Sequence, residues 1–405
     1  MSEWKEVTLG FVLQDNGYIR GPFGSTLKRG EMRESGIPVY EQKNAIYNTR
    51  EFRFFIDETK FKELSRFQVR TNDLIISCSG TVGKISIIKE SDPKGIISQA
   101  LLILRPDILK IDPKYLFYFL SSKQGFELIT QSSHGSVQVN IAEKKIVQKI
   151  PIPLPPLPEQ KAIAEVLSSI DDKIELLHRQ NKTLEEMAMT LFRQWFIEPT
   201  KDGLPDGWEE GKLGDILSII ESGSRPKGGI DPNLKDGIPS IGAENINGLG
   251  NYDYSKTKYI SKEFYNSMKR GRIQDYDVLI YKVGAYIGKK AMFGKGYPFE
   301  KATINEHVFI LRGNNKVNQF FLYFLLNQQD LEQLNSNSVQ PGLTQEAMKS
   351  FEIIIPSFAL ISRFGELTKP LVDKIFSNAK QIRTLEKLRD TILPKLMNGE
   401  VRVKV

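Results

Sequence analysis

Among 405 residues there is one cysteine, Cys78, and there are three histidines, His134, His178 and His307. A single thiol excludes an internal disulfide framework and fits a reducing compartment. Scattered histidines and one cysteine argue against a thiolate or imidazole metal site. No run of about 18 apolar residues is present, so no membrane-spanning helix is expected. The opening MSEWKEV lacks a basic stretch followed by an apolar one, so no secretory signal is expected, and the chain is placed in the cytoplasm. No Gly-x-Gly-x-x-Gly follows a strand-like run, and no Gly-x-Ser-x-Gly elbow occurs. Gly80-Thr-Val-Gly83-Lys84 and Gly284-Ala-Tyr-Ile-Gly288-Lys289 lack both the glycine spacing and the hydroxyl of a phosphate loop, and read as turns at strand ends.

With 40% hydrophobic and 26% charged residues, the chain is ordinary for a folded globular protein. Its net charge of +7 is unevenly spread. Residues 1–150 hold 22 basic and 17 acidic groups, residues 151–200 hold 5 and 8, residues 201–350 hold 19 and 18, and residues 351–405 hold 10 and 6. Such a field permits nucleic-acid binding without establishing it.

The chain repeats itself. Trp4 with Leu9-Gly10 matches Trp208 with Leu213-Gly214, and Gly36-Ile37-Pro38 matches Gly237-Ile238-Pro239. Asp73 and Gly80 match Asp277 and Gly284; Leu104-Arg105 matches Leu311-Arg312; Tyr118-Phe119-Leu120 matches Tyr323-Phe324-Leu325. Ser136-Val137-Gln138, Asp172-Lys173-Ile174 and Thr183-Leu184-Glu185 recur at Ser338-Val339-Gln340, Asp373-Lys374-Ile375 and Thr384-Leu385-Glu386. The order is kept and the shift stays near 201–204 residues, which predicts two copies of one unit related by a pseudo-twofold.

Each copy begins with a mixed segment, 1–150 and 201–350. Short apolar runs such as Leu74-Ile75-Ile76 and Val278-Leu279-Ile280 predict strands, and 113–130 and 317–335 predict helix. Each copy ends in a helix, within 151–200 and 351–405. The first carries a heptad seam at Ile163, Leu167, Ile170, Ile174, Leu177, Leu184, Ala188, Leu191 and Trp195, with Asn181 at the remaining position. The prolines between Pro151 and Pro158 mark its start near Glu159. At 1.5 Å per residue, 159–196 spans roughly 57 Å. The second seam runs through Phe364, Thr368, Leu371, Ile375, Asn378, Ile382, Leu385, Arg389, Ile392 and Leu396, and Gly399 closes its helix. The expected fold is therefore α+β: two similar α+β domains separated by an antiparallel coiled coil of two long helices. The alternative is that each helix packs on its own domain or dimerises between chains. Asn181 and Asn378 either fix the register or sit at an exposed bend.

No catalytic set emerges. Asp107 and Glu143 with Lys144 and Lys145 match a metal-dependent nuclease only loosely, and the second copy does not repeat them. The polar loops suit nucleic acid better, because Asn, Gln, Arg and Lys read base edges while Lys, Arg and Ser hold phosphates. The candidates in copy one are Lys28, Arg29, Arg33, Tyr40, Gln42, Lys43, Asn44, Tyr47, Arg50, Lys84, Ser136 and Gln138. In copy two they are Ser224, Arg225, Lys227, Asn245, Asn247, Tyr252, Lys282, Lys289, Lys290, Ser338 and Gln340. Two readers on a spacer would recognise two short sequences across a fixed gap. A two-lobed scaffold that binds no DNA is the alternative.

The stretch IPIPLPPLPEQKAIAEVLSSIDDKIELLHRQNKTLEEMAMTLFRQWF at 150–196, LPDGWE at 204–209, WKEVTLG at 4–10 and the GTVGK turn resemble the specificity subunits of type I restriction-modification enzymes. The resemblance runs the length of the chain. Copy two departs at its helix start, where PSFALISRF places Leu360 and Ile361 at the positions of Glu159 and Gln160. The resemblance implies a non-catalytic subunit that binds a bipartite, asymmetric site in double-stranded DNA, one half per domain. It implies two modification (M) subunits and restriction (R) subunits as partners, with S-adenosylmethionine, ATP and Mg bound by those partners and no cofactor or metal by this chain. No membrane association is implied, and the isolated chain is expected to be able to homodimerise through exposed helix surface.

Overall fold

The computed structural model describes residues 4–23, 26–130, 141, 143–334 and 342–404. Two compact units share the chain: Met1–Asp172 with Glu386–Val405, and Lys173–Leu385. Both long helices, Leu157–Phe192 and Phe358–Met397, contribute residues to both units.

Among the described residues, the first unit has three sheets. Strands Leu13–Arg20, Leu101–Pro106, Leu74–Ser77 and Ile85–Ile87 form an antiparallel sheet in that order. Ile37–Tyr40 lies between Phe55–Ile56, antiparallel, and Ile96–Ile97, parallel. Lys5–Thr8 pairs with Pro151–Leu154. The second unit repeats the plan. Leu217–Ser222, Val308–Gly313, Val278–Tyr281 and Lys290–Met292 form the same order, extended by Gly248–Leu249. Lys258–Ile260, Ile238–Ile241 and Thr303–Ile304 form the mixed sheet, and Glu209–Lys212 pairs with Glu352–Ile355. The central strands Leu74–Ser77 and Leu101–Pro106 are buried at every residue, as strands covered on both faces must be.

The repeated residues build this frame. Arg105 binds Asp73 through two hydrogen bonds of 2.8 Å, and Arg312 binds Asp277 through two of 2.6 Å. Burial pushes both carboxyls above their ordinary range while the guanidinium pulls each back. Gly36 and Gly237 take positive φ where a Cβ would strike the carbonyl of Ile56 or Ile260, so only glycine fits. The expected helix over 113–130 is two, Pro113–Ser121 and Lys123–Ile129, broken at Ser122, whose hydroxyl accepts from Gly125 N and caps the second. Its counterpart is Gln319–Asn327, and Asp112 and Asn318 cap the matching helix starts.

The seams are buried against each other inside each unit. In the first unit, Ile163, Leu167 and Ile170 are covered, Leu396 with them, and Ile392 is half-buried. Asp171 accepts from Arg389 at 2.9 Å, and Glu159 from Arg402, so the helical segments run antiparallel. In the second unit, Ile174, Leu177, Ile375 and Ile382 are buried, and Leu184, Leu191, Leu371 and Leu385 are half-buried. Phe192 packs on Phe364 while Asn181 meets Asn378, again antiparallel. The seam turns by one residue near its end: Phe192 and Phe196 are buried where Leu191 and Trp195 were expected. Phe192 lies four residues after buried Ala188 and Phe196 four after that, so the buried face takes a four-residue step where the heptad takes three, and the helix then ends in a π turn at Arg193–Ile197. Gly399, at φ +76°, follows the end of the second helix as expected.

Asn378 donates to Asn181 Oδ1 at 2.9 Å with both side chains buried, which selects register-fixing over an exposed bend. Glu159 and Gln160 are committed within the first unit. Glu159 accepts from Trp4 Nε1 and from the Arg402 guanidinium, which also lies over the Trp4 ring. Gln160 accepts from Asp112 N and donates to Pro155 O.

Asn378→Ala strands Asn181 in an apolar seam and is expected to cost about 1–3 kcal/mol in chemical denaturation. Replacing both asparagines by leucine should recover most of that loss; additive losses would contradict the pairing. Arg402 and Trp4 hold the Glu159 carboxyl below its ordinary value of 4.5. A depressed carboxyl stabilises the fold above its unfolded value and loses that contribution as pH falls through its folded one. The melting-temperature gap between wild type and Glu159→Gln should therefore be open at neutral pH and close below about 4.5.

Candidate nucleic-acid interface

In the first unit, the short helix Gln42–Ile46 follows strand Ile37–Tyr40, and the turn 78–84 follows strand Leu74–Ser77. Gln42 joins them by donating to Ser79 O. Gly80 and Gly83 hold positive φ, so this is a strand-end turn. A cleft of about 760 Å³ opens beside it, lined among others by Arg29, Gln42, Lys43, Arg53, Ser98 and Gln99.

Several expected readers serve the fold instead. Tyr40 is fully buried and donates to Pro93 O at 2.7 Å. Asn44 is fully buried; its Oδ1 accepts from Glu41 N, and its Nδ2 donates to Thr49 O and Glu51 O. Arg50 pairs with Asp92 at 2.8 Å and donates to Ile87 O and Ser86 Oγ. Arg33 is exposed but paired with Asp57 at 2.6 Å. Lys28, Arg29, Tyr47 and Lys84 remain exposed, and Lys43 is half-buried at the cleft. Lys84 lies over the Phe126 ring, 5.9 Å from its centroid. Gln99 and Arg53 were missed; Arg53 pairs with Glu41 and stacks on Phe54. Ser136 and Gln138 lie outside the described residues.

The second unit sorts the same way. Asn245 is fully buried and accepts from Gly242 N, repeating the role of Asn44. Tyr252 packs edge-on against Tyr254, Phe293 and Phe299. Lys290 donates to Gln329 O, and burial pulls its ammonium below the ordinary lysine range. Lys282 donates to Ser222 Oγ at 3.1 Å and sits over Phe309; burial, then Arg270, lowers it. Asn247 is exposed and donates to Glu244 O. Lys227 and Lys289 are exposed, with Lys289 over the Tyr286 ring, and Ser224 is half-buried. Arg225 pairs with Glu306 at 3.2 Å, and Glu306 also meets His307 at 3.4 Å. Ser338 and Gln340 lie outside the described residues. Among the described residues no group of three His, Cys, Asp or Glu side chains is placed to hold a metal, and Asp107 pairs with Lys110 instead. No helix among them is long and apolar enough to cross a membrane.

Comparison with known proteins bears on both copies. The family model described as the type I restriction modification DNA specificity domain matches residues 1–186 and again 205–360. The type I restriction enzyme MjaIX specificity subunit of Methanocaldococcus jannaschii is 28% identical, covering 100% of this chain and 97% of its own. The HindI specificity subunit of Haemophilus influenzae is 22% identical, covering 99% and 100%. A crystal structure of the type I restriction-modification system S subunit from M. genitalium shares the fold, with a TM-score of 0.61 at 19% identity over 97% of this chain and 96% of that one.

Side chains claimed by the fold and side chains left open should separate on substitution. Arg50→Ala removes a half-buried ion pair and should lower the melting temperature. Lys43→Ala and Lys84→Ala should leave it unchanged while weakening duplex binding in a salt-dependent manner. Equal loss of stability in all three would contradict the division.

Proposed function

This chain belongs to the family of type I restriction-modification specificity subunits, and we propose on that premise that it is the sequence-reading subunit of such a complex. Each unit reads one half of a bipartite, asymmetric site in double-stranded DNA. Two modification subunits and the restriction subunits assemble on it, in the cytoplasm. The chain recognises and does no chemistry: adenine methylation with S-adenosylmethionine, and translocation and cleavage with ATP and Mg, fall to its partners.

The observation that carries this reading is one sheet plan built twice around different loop side chains. A shared frame presents loops to a duplex in the same manner, and different loops read different bases. The first unit offers Lys28, Arg29, Lys43 and Lys84. The second offers Lys227 and Lys289, while Arg225 is taken up by Glu306, so its phosphate attraction is weaker and its contacts lean on neutral polar groups and on partner subunits. The long helices continue from one unit into the other, and their length sets the unread gap.

Methylome sequencing of cells carrying this chain with its modification genes should return one motif with two half-sites and a constant gap. Deleting one heptad from each long helix keeps the helical face and removes about 10 Å of rise, close to three base pairs. The half-sites should persist and the gap should shorten; an unchanged gap would refute the spacer role.

A further inference from the structure

The two units share a frame, so the difference in what they read must lie in side chains that differ at matched positions on its open rim. One such position is defined residue by residue. In the first unit the parallel strands end with Tyr40 opposite Ile97, and Ser98 N donates to Tyr40 O at 2.9 Å. In the second, Ile241 stands opposite Ile304, and Asn305 N donates to Ile241 O at 3.0 Å. Four residues beyond each isoleucine the neighbouring antiparallel strands also pair alike, Leu101 with Ser77 and Val308 with Tyr281. The backbone is thus held alike in both copies. Two residues beyond the paired isoleucines stand Gln99 and Glu306.

Neither is needed by the core. Gln99 is exposed on the rim of the 760 Å³ cleft beside Arg29 and Lys43, with no intramolecular partner among the described residues. Behind it the Ser98 hydroxyl is buried and also lacks a partner among the described residues. Glu306 is oriented by Arg225 and His307, with its side chain still 30% exposed. The Arg225 guanidinium offsets its charge, which lets a carboxylate approach a polyanion.

The two side chains differ in what they match. A glutamine amide donates and accepts at once, which fits adenine N7 and N6 in the major groove. An ionised carboxylate only accepts, which fits the cytosine N4 amino group and opposes the acceptor edge of guanine. Resting on the DNA-reading function above, we propose that Gln99 and Glu306 are the matched specificity-determining residues of the two units, Gln99 reading an adenine and Glu306 a cytosine.

The test exchanges the two chemistries. Gln99→Glu and Glu306→Gln are each assembled with the modification subunits and mapped by methylome sequencing beside wild type, with melting curves for every chain. Gln99→Glu should replace adenine by cytosine at one position of one half-site, with preference for the original base falling about tenfold or more. Glu306→Gln should make the reverse change at one position of the other half. Variants that keep the wild-type motif, or that change both halves at once, overturn the assignment. A variant that melts several degrees lower and modifies nothing places its residue in the fold and also overturns it. A wild-type chain leaving no bipartite motif overturns the function itself, which separates the two failures.

Discussion

A 36-residue helix with an apolar stripe along its length cannot leave that stripe in water, and a second helix of 40 residues carries the same burden. Burying a leucine or isoleucine side chain is worth roughly 1.5–3 kcal/mol, so a seam of several such residues outweighs any surface ion pair the helices make. Within each unit the two helical segments cover each other in antiparallel register and close the core of a mixed α and β domain. The rest of the structure depends on this burial. It makes residues 386–404 part of the first unit, and it places Arg402 on Glu159 beside Trp4. Buried Asn181 and Asn378 add little net stability but penalise any slip, because a displaced seam would leave two amides unpaired.

Much of this was legible in the residues alone. The collinear matches marked the frame because they are the residues the frame cannot vary: the Asp73–Arg105 and Asp277–Arg312 pairs, and the glycines at positive φ beside a neighbouring carbonyl. The seam was legible because heptad spacing reports burial directly. Its last turn was not, because the buried face steps by four residues twice, from Ala188 to Phe192 to Phe196, where the alternating four-and-three heptad count expects Leu191 and Trp195.

The loop residues were less legible for a definite reason. Side-chain type states what a group can bond to, and says nothing of whether the backbone already claims it. Asn44 and Asn245 have the chemistry of base readers yet shape equivalent turns. Tyr40 and Tyr252 are aromatic anchors of their loops. Arg50 and Lys290 tie down neighbouring segments. Gln99 and Glu306 carried no signal of their own, since neither lies in a repeated motif; only the strand pairing shows that they occupy one place in two copies. Glu159 and Gln160 are used within the first unit, so their absence from the second copy marks a difference in how the two helix starts are held.

What emerges is one frame used twice, with a small set of side chains left free by it in each copy. The claim that each unit reads its own half-site is tested most directly by a chimera. Residues 213–350 are replaced by the corresponding segment of a relative with a different motif, and the methylome is sequenced. The account predicts that one half-site changes to the donor's while the other half persists. A motif altered in both halves, or in neither, would contradict it.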